Sequence, residues 1–316
     1  MKDIPPELSI VIPVYCEGEM IFTCLDAVQN ECLSLGKTYE IIFVDDGSTD
    51  QTWSIIRQVA TKNSCVKGFR FTRNFGKEAA LCAGLDMARG EAIIMMDADM
   101  QHPPSLIPQM VRLWKETGVN IVEAVKMCYE KESQLDRFRR NAFYLILKKL
   151  TGFDLGRASD FKLVDQHVRE AWLRMGEKNI FFRGMIAWLG FKRVEIPFSV
   201  PERVGDQSKW TLLRLFSLAV TGITAFTSLP MHVATFGGIL FLLMGIGMVI
   251  YSLAVKFAGK AAEGFTTVIL LQLFTGSFIL LTLGVIGEYI GRIYDEVKHR
   301  PRYVIIDSIE KEASGS

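Results

Sequence analysis

Short β-branched runs alternate along the first half of the chain with longer stretches whose apolar residues recur at helical spacing. Leu8-Ser9-Ile10-Val11-Ile12-Pro13-Val14 is an apolar run ended by a proline and its successor, the pattern of a buried strand. Tyr15-Cys16-Glu17-Gly18 reads as a loop, and residues 20–35 carry helical spacing. Residues 39–44 form a second strand pattern that breaks into Asp45-Asp46-Gly47-Ser48-Thr49-Asp50. There Gly47 permits a tight turn, and Ser48 or Asp50 is placed to cap a helix running through residues 53–60. Residues 66–71 are a third strand, and Arg73-Asn74-Phe75-Gly76-Lys77 leads into a helix over 78–88. A fourth apolar run ends at Asp97. Alternation at βαβ spacing predicts an α/β fold with a doubly wound, mostly parallel sheet.

The last third of the chain is far more apolar. Residues 233–255 are uncharged and long enough to cross a bilayer, as are residues 266–287. The short segment Lys256-Phe257-Ala258-Gly259-Lys260-Ala261-Ala262-Glu263-Gly264 joins them, so a tight transmembrane helical hairpin is expected. Arg203, Lys209 and Arg214 precede the first span, and Arg292, Lys298, Arg300 and Arg302 follow the second, against Lys256 and Lys260 between them. The positive-inside bias then puts both chain ends in the cytoplasm. Residues 212–229 are also apolar, but Thr211, Arg214, Ser217, Thr221, Thr224 and Ser228 draw a polar stripe down one side. That pattern suits an amphipathic helix lying in the interface. Gly287-x-x-x-Gly291 is a small-residue motif suited to helix packing within or between subunits. The expected organisation is a cytoplasmic domain over 1–210, an interfacial helix over 211–230, two membrane helices over 231–292 and a cytoplasmic tail over 293–316.

Composition narrows the classes. The 316-residue chain is long enough for a substantial core, and its formal net charge of +1 gives no bulk electrostatic case for nucleic acid. All six cysteines fall in the N-terminal half without C-x-x-C pairs or zinc-like Cys/His spacing, so packed, reduced thiols are expected. Met1-Lys2-Asp3-Ile4-Pro5-Pro6-Glu7 lacks the apolar core of a signal peptide.

Chemistry concentrates in Ile93-Ile94-Met95-Met96-Asp97-Ala98-Asp99-Met100-Gln101-His102-Pro103-Pro104. An apolar run that ends in acids delivers them to the carboxyl edge of a parallel sheet, where open α/β sheets bind ligands. Asp97 and Asp99 alternate with Ala98, so an extended chain points both carboxylates to one side. With the Gln101 carbonyl they make a hard-oxygen set for Mg²⁺ or Mn²⁺. The competing explanation is a helix N-cap, since Asp before Pro-Pro can start a helix. Three strand ends would lie side by side: Tyr15 and Glu17 after the first, Asp46 after the second, and the acid pair after the fourth. Together they suit a nucleotide held through a metal and its pyrophosphate. No Gly-x-Gly-x-x-Gly follows the first strand and there is no P-loop, which disfavours dinucleotide and ATPase readings.

Val11-Ile12-Pro13-Val14-Tyr15-Cys16-Glu17, Val44-Asp45-Asp46-Gly47-Ser48-Thr49-Asp50 and Met96-Asp97-Ala98-Asp99-Met100-Gln101-His102-Pro103 resemble the inverting family-2 glycosyltransferases with a GT-A fold. Ser159-Asp160-Phe161-Lys162-Leu163 and Arg203-Val204-Gly205-Asp206-Gln207-Ser208-Lys209-Trp210 resemble the polyisoprenyl-phosphate branch, which includes dolichol-phosphate mannose synthase and bactoprenol glucosyltransferases. Cys16 stands where the family usually has Asn, and Asp206-Gln207 where Gly-Glu is common; these departures bear on sugar and base preference. The resemblance implies that Pro13, Tyr15, Glu17, Val44, Asp46 and Ala98 hold the nucleoside and that Asp97 meets ribose or metal. It implies that Asp99 and Gln101 ligate the metal, and that Arg203 and Lys209 clamp the donor phosphates rather than merely flank the membrane. UDP-glucose is the favoured donor, with GDP-mannose and UDP-4-amino-arabinose derivatives as alternatives.

The implied acceptor is undecaprenyl or dolichyl phosphate, a nucleophile that is already anionic and needs positioning rather than a strong base. The basic amphipathic segment over 136–149 supplies Arg137 and Arg140 as candidates for its phosphate, joined by Ser208, although such a helix also suits a solvated face or a surface anchor. Asp160 is a candidate to orient the sugar or a cation, with a plain ion pair to Arg157 or Lys162 as the alternative. The resemblance implies a homo-oligomer, a tetramer as in relatives. Two other classes compete: a processive polymer synthase, which would carry a Gln-x-x-Arg-Trp motif that this chain lacks, and a non-catalytic membrane scaffold.

Overall fold

The computed structural model describes residues 5–126, 149, 160–177, 181–198, 229–258 and 264–310. The basic segment with Arg137 and Arg140, the loop with Arg203, Ser208 and Lys209, and nearly all of the expected interfacial helix lie outside the described residues. The chain forms two compact units, one of Met1–Lys209 with Arg300–Ser316 and one of Trp210–His299.

In the first unit the predicted alternation is present. Strand β1 (Leu8–Val14) is followed by α1 (Gly18–Ser34), β2 (Tyr39–Asp45), α2 (Thr52–Lys62), β3 (Val66–Phe71), α3 (Lys77–Met87) and β4 (Ala92–Met95). A 3-10 turn at Pro104–Leu106 leads into α4 (Ile107–Thr117), then β5 (Ile121–Lys126) and β6 (Lys162–Asp165). Helix α5 (Gln166–Leu173), α6 (Phe182–Trp188) and β7 (Arg193–Phe198) complete this part. The sheet has eight strands in the order β7-β5-β6-β4-β1-β2-β3-β8. β1 pairs in parallel with β2 on one side and β4 on the other. Chain order therefore reverses between β1 and β4, and the crevice at such a switch point is where open sheets take ligands. Two antiparallel strands break the pattern: β6 runs against β4 and β5, and β8 against β3. Neither followed from the spacing of apolar runs.

The core is layered on this sheet. Ile10 and Ile12 of β1, Phe43 of β2 and Ile94 of β4 are fully buried beneath Ile21, Cys24, Val28 and Cys32 of α1. Burial pushes the Cys24 and Cys32 thiols up to about 12, so they behave as small apolar packing groups. On the opposite face α3 rides directly on β1, because Gly84 leaves no room for a side chain: a Cβ there would lie 2.0 Å from Val11 Cγ1.

β8 (Ile305–Ile309) comes from the tail beyond the apolar helices. The Thr72 amide donates to the Val304 carbonyl, and the Tyr303 ring stacks on Phe71 with centroids 5.1 Å apart. Tyr303 also donates its hydroxyl to Asp86 at 2.9 Å, while Arg302 donates to the Met175 and Glu177 carbonyls just beyond α5. The Asp307 carboxylate accepts from the Trp53 indole and from Arg57.

In the second unit, α7 (Leu229–Phe257) and α8 (Phe265–Val297) are apolar; Met231–Val255 and Phe274–Val297 are each long and apolar enough to cross a membrane. The expected span 266–287 lies wholly within α8, which continues past Gly287 to Val297. The helices meet where Gly237 admits the Phe278 ring: a Cβ at Gly237 would be 2.5 Å from it, and Phe278 stacks on Phe241 at 4.7 Å. A Cβ at Gly287 or Gly291 would meet nothing within 4 Å, so the close approach inside the hairpin uses Gly237 instead.

One ion pair is embedded in the sheet. Lys162 Nζ lies 3.0 Å from Glu123 Oε1 and both side chains are buried, with Arg193 reaching Glu123 only at 4.0 Å. Removing one partner of a buried pair typically costs about 3–5 kcal/mol. Lys162→Met should therefore lower stability by about 3 kcal/mol, near the low end because Arg193 partly compensates. The double variant Lys162→Met/Glu123→Leu should recover most of that loss in denaturant titrations of the full chain.

Candidate active site

The loops after β1, β2 and β3 are fastened to one another by backbone hydrogen bonds. The Cys16 amide donates to Ser48 Oγ at 2.9 Å and the Glu17 amide to Thr52 Oγ1 at 3.0 Å, which ties the first loop to the second. Cys16 takes a left-handed backbone, φ 54°, to make that turn. In the second loop Asp45 accepts from the Ser48 amide, and Asp50 accepts from the Thr52 amide at the start of α2. Neither expected cap fills the N-cap position of α2, which is Gln51 without a side-chain cap: Asp50 accepts the Thr52 amide from one residue further out, and Ser48 serves the first loop. Gly47, φ +71°, abuts the third loop so closely that a Cβ would lie 2.5 Å from the Arg73 carbonyl carbon. Asp46 then grips that loop: Oδ1 accepts from the Phe75 amide at 2.6 Å and Oδ2 from the Gly76 amide at 2.9 Å. Burial raises the Asp46 carboxyl from its ordinary value, against the pull of those amides. Its carboxylate is thus engaged with backbone, and it sets where Lys77 begins α3.

Pro13 and Val44 are buried neighbours in register on β1 and β2, forming the floor behind these loops, and Ala98 is fully buried. Tyr15 is 47% exposed, so its ring lies open to solvent beside the crevice.

Opposite stands an ionic cluster. The Lys77 ammonium lies 2.6 Å from Asp97 Oδ1, 2.8 Å from Asp97 Oδ2 and 2.9 Å from Asp160 Oδ2. Arg183 of α6 forks onto Asp160, with Nε 2.7 Å from Oδ1 and a terminal nitrogen 2.8 Å from Oδ2. The partner of Asp160 is therefore Arg183 together with Lys77, and not Lys162, which belongs to Glu123. Burial alone would raise Asp160, but the Arg183 fork and the Lys77 charge hold its carboxyl well below the usual carboxylate range. Asp97 is also steadied through its amide, which donates to His102 Nδ1 at 3.2 Å, while the imidazole stacks on Phe161. Asp99 Oδ1 accepts from the Gln101 amide across a turn in which Met100 has φ 59°. Neither acid caps a helix: the turn at Pro104–Leu106 starts from Pro103 and α4 from Leu106, both without a side-chain cap. The capping explanation for Asp97-x-Asp99 is thereby overturned.

Burial, with the fields of Asp99 and Asp97 behind it, pushes Glu17 up to about 7. Glu78 is likewise pushed up to about 7 by burial, with its Oε2 facing the Phe182 amide at 3.4 Å. Sequence reasoning missed Lys77, Glu78, His102 and Arg183. Lys77 had a readable signal, as a cation at the first helical position after a Gly-ended loop. Arg183 had none, because only tertiary packing brings α6 to this edge.

Among the described residues no three His, Cys, Asp or Glu side chains converge on a ready-made metal site. The residues nevertheless fit a divalent ion whose shell is completed by substrate: Asp97 and Asp99 offer hard oxygens, and Lys77 already shows that Asp97 favours a cation. Mg²⁺ and Mn²⁺ typically combine one or two carboxylates with phosphate oxygens and water.

The mostly parallel sheet, with Asp97-x-Asp99 directly after β4 at the switch point, is a GT-A-type fold. The chain belongs to glycosyl transferase family 2, which matches residues 9–176. It is 38% identical to an uncharacterized glycosyltransferase, YkcC, of Bacillus subtilis (strain 168), over 95% of this chain and 93% of that one. It is 36% identical to the bactoprenol glucosyl transferase of Shigella phage SfV, over 96% of this chain and all of that one. Among solved structures it is similar to mannosyltransferase PcManGT from Pyrobaculum calidifontis, in complex with GDP-Man and Mn²⁺, with TM-score 0.48, 19% identity and coverage of 89% and 88%.

The two raised carboxyls set a pH dependence. Between the ordinary value of 4.5 and about 7 the folded chain keeps protons on Glu17 and Glu78 that the unfolded chain has lost. Raising pH through that window therefore destabilises the fold. The melting temperature of the metal-free chain should fall from pH 5 to pH 7, and Glu17→Gln/Glu78→Gln should flatten that slope. Parallel slopes in the two proteins would place the protons elsewhere.

Proposed function

We propose that this glycosyltransferase moves a hexose, glucose from UDP-glucose, onto a membrane polyisoprenyl phosphate with inversion at the anomeric carbon. The product would be a lipid-linked sugar used to modify a cell-surface glycan. The observation that carries the reading is the acid-lined switch-point crevice in a chain that also holds two bilayer-length apolar helices. The near full-length likeness to bactoprenol glucosyl transferases supports the same acceptor class.

The bond to be broken joins the anomeric carbon to a diphosphate, so negative charge grows on the leaving oxygen. A bound Mg²⁺ or Mn²⁺ would supply charge stabilisation there, held by Asp97 and Asp99 with the Gln101 carbonyl beside them. Tyr15 and Glu17, above the floor of Pro13, Val44 and Ala98, would receive the nucleoside, with Asp46 fixing the loop that closes it. Arg203 and Lys209 would clamp the diphosphate. Arg137, Arg140 and Ser208 would hold the acceptor phosphate, which needs orientation and desolvation rather than deprotonation. Asp160, kept ionised between Arg183 and Lys77, is a weak base, and its role is to orient those two cations.

The helices are read as a membrane hairpin with the catalytic unit and both chain ends on the cytoplasmic side, supported by the basic residues flanking the spans. A homo-oligomer, tetrameric on this reading, is supported by Gly287 and Gly291, where an added Cβ would meet nothing within 4 Å among the described residues. A single monomer peak in detergent sizing would count against it.

Incubating the purified chain with undecaprenyl phosphate, Mn²⁺ and a panel of UDP-glucose, GDP-mannose and a UDP-amino-arabinose should yield a glycosylated lipid of matching mass with one donor. No product from any donor would overturn the reading and favour a scaffold. Asp99→Ala should abolish transfer, at least 10³-fold in kcat/KM, about 4 kcal/mol of lost transition-state stabilisation. Arg140→Ala should instead raise the KM for the lipid several-fold with a smaller change in kcat. Unchanged acceptor kinetics would remove that segment from the site.

A further inference from the structure

The Lys77 ammonium straddles both oxygens of Asp97, at 2.6 and 2.8 Å, which is where a divalent ion would approach that carboxylate. We propose that Lys77 is a resident cation that blocks Asp97 until a nucleotide diphosphate arrives, so that metal binds with the donor and not before it. This rests on the reading of Asp97 and Asp99 as metal ligands.

Three observations build the device. The backbone leading into Lys77 is pinned, because buried Asp46 holds the Phe75 and Gly76 amides and Gly76 turns the chain with φ 98°. The ammonium is therefore delivered to one place by a rigid loop. Its second partner, Asp160, is already matched by the two-pronged Arg183 contact, so the Lys77 charge is available chiefly to Asp97. The Lys77 side chain remains 44% exposed, and its flexible stem lets the head move without repacking the core.

A doubly charged ion cannot share Asp97 with an ammonium at these distances without strong like-charge repulsion. Metal alone must therefore displace Lys77 and leave it facing the newcomer. A diphosphate changes the balance, because its oxygens complete the metal shell and also give Lys77 a replacement anion. Metal and nucleotide then strengthen each other's binding, and the coupling is reciprocal.

The test is Mn²⁺ binding to the full chain in detergent, read from the electron paramagnetic resonance of free Mn²⁺, with and without saturating UDP or GDP. The wild-type chain should bind Mn²⁺ weakly alone and about tenfold or more tightly with nucleotide, within the usual 5–150-fold range of such couplings. Lys77→Met should tighten Mn²⁺ alone by about tenfold and shrink the nucleotide gain to match, and Lys77→Arg should restore weak binding. Lys77→Gln gives the same readout should the Met variant not fold. Equal Mn²⁺ affinities and equal nucleotide gains in wild type and variant would overturn the inference while leaving the metal site standing. A wild-type chain that takes up no Mn²⁺ even with nucleotide would overturn both.

Discussion

The constraint on which the site depends is the crowding of negative charge at one carboxyl edge. Glu17, Asp97, Asp99 and Asp160 share a crevice, and carboxylates at close quarters raise one another's energy unless cations or protons intervene. The fold answers in three ways. Lys77 and Arg183 neutralise Asp97 and Asp160, Glu17 retains its proton to about neutral pH, and Asp99 takes a backbone amide. A site assembled in this way stores an affinity for positive charge, and a metal–diphosphate complex is the kind of ligand that satisfies it.

That concentration of charge needs rigid loops, because a flexible edge would let the acids separate. The rigidity comes from side chains that accept backbone amides. Asp45, Asp46, Ser48, Asp50 and Thr52 all do so, each from its own or a neighbouring loop. Gly47 lets the second and third loops touch, with no space for a methyl group between them. The tail strand β8 extends this bracing to the far edge, since Tyr303 stacks on Phe71 and Phe71 meets Phe75 edge-on, one residue before Gly76. The loop after β3 is thus braced by a segment that follows the apolar helices in sequence.

The chain leaves the catalytic unit, forms two apolar helices and returns to the same sheet at β8. On the proposed membrane reading, two crossings leave the strand beyond the helices on the same side as the strand it pairs with. That agrees with a polyisoprenyl phosphate as acceptor, a substrate whose reacting group lies at the bilayer surface while its chain lies within.

The part of the first unit from β1 to β4 was legible from periodicity. The boundaries of β1 and β3 and the succession of the first four strands along the chain follow from their apolar runs, continuous in the buried β1, β2 and β4 and interrupted in β3 by Lys67 and Arg70. The Asp97-x-Asp99 motif was legible for a related reason: polar residues ending a buried strand have few structural explanations. Local pattern carries no record of partners distant in sequence. The pairing of Asp160 with Arg183, the turning of Asp46 toward the third loop, the antiparallel insertion of β6 and the return of the tail as β8 all depend on which surfaces meet after collapse. Sequence by itself determined the first four strands with the helices between them, the acids and the apolar helices, since those follow from spacing and hydropathy. Only the tertiary structure decided which cation faces which acid, because charge pairing is set by distance in space and not along the chain.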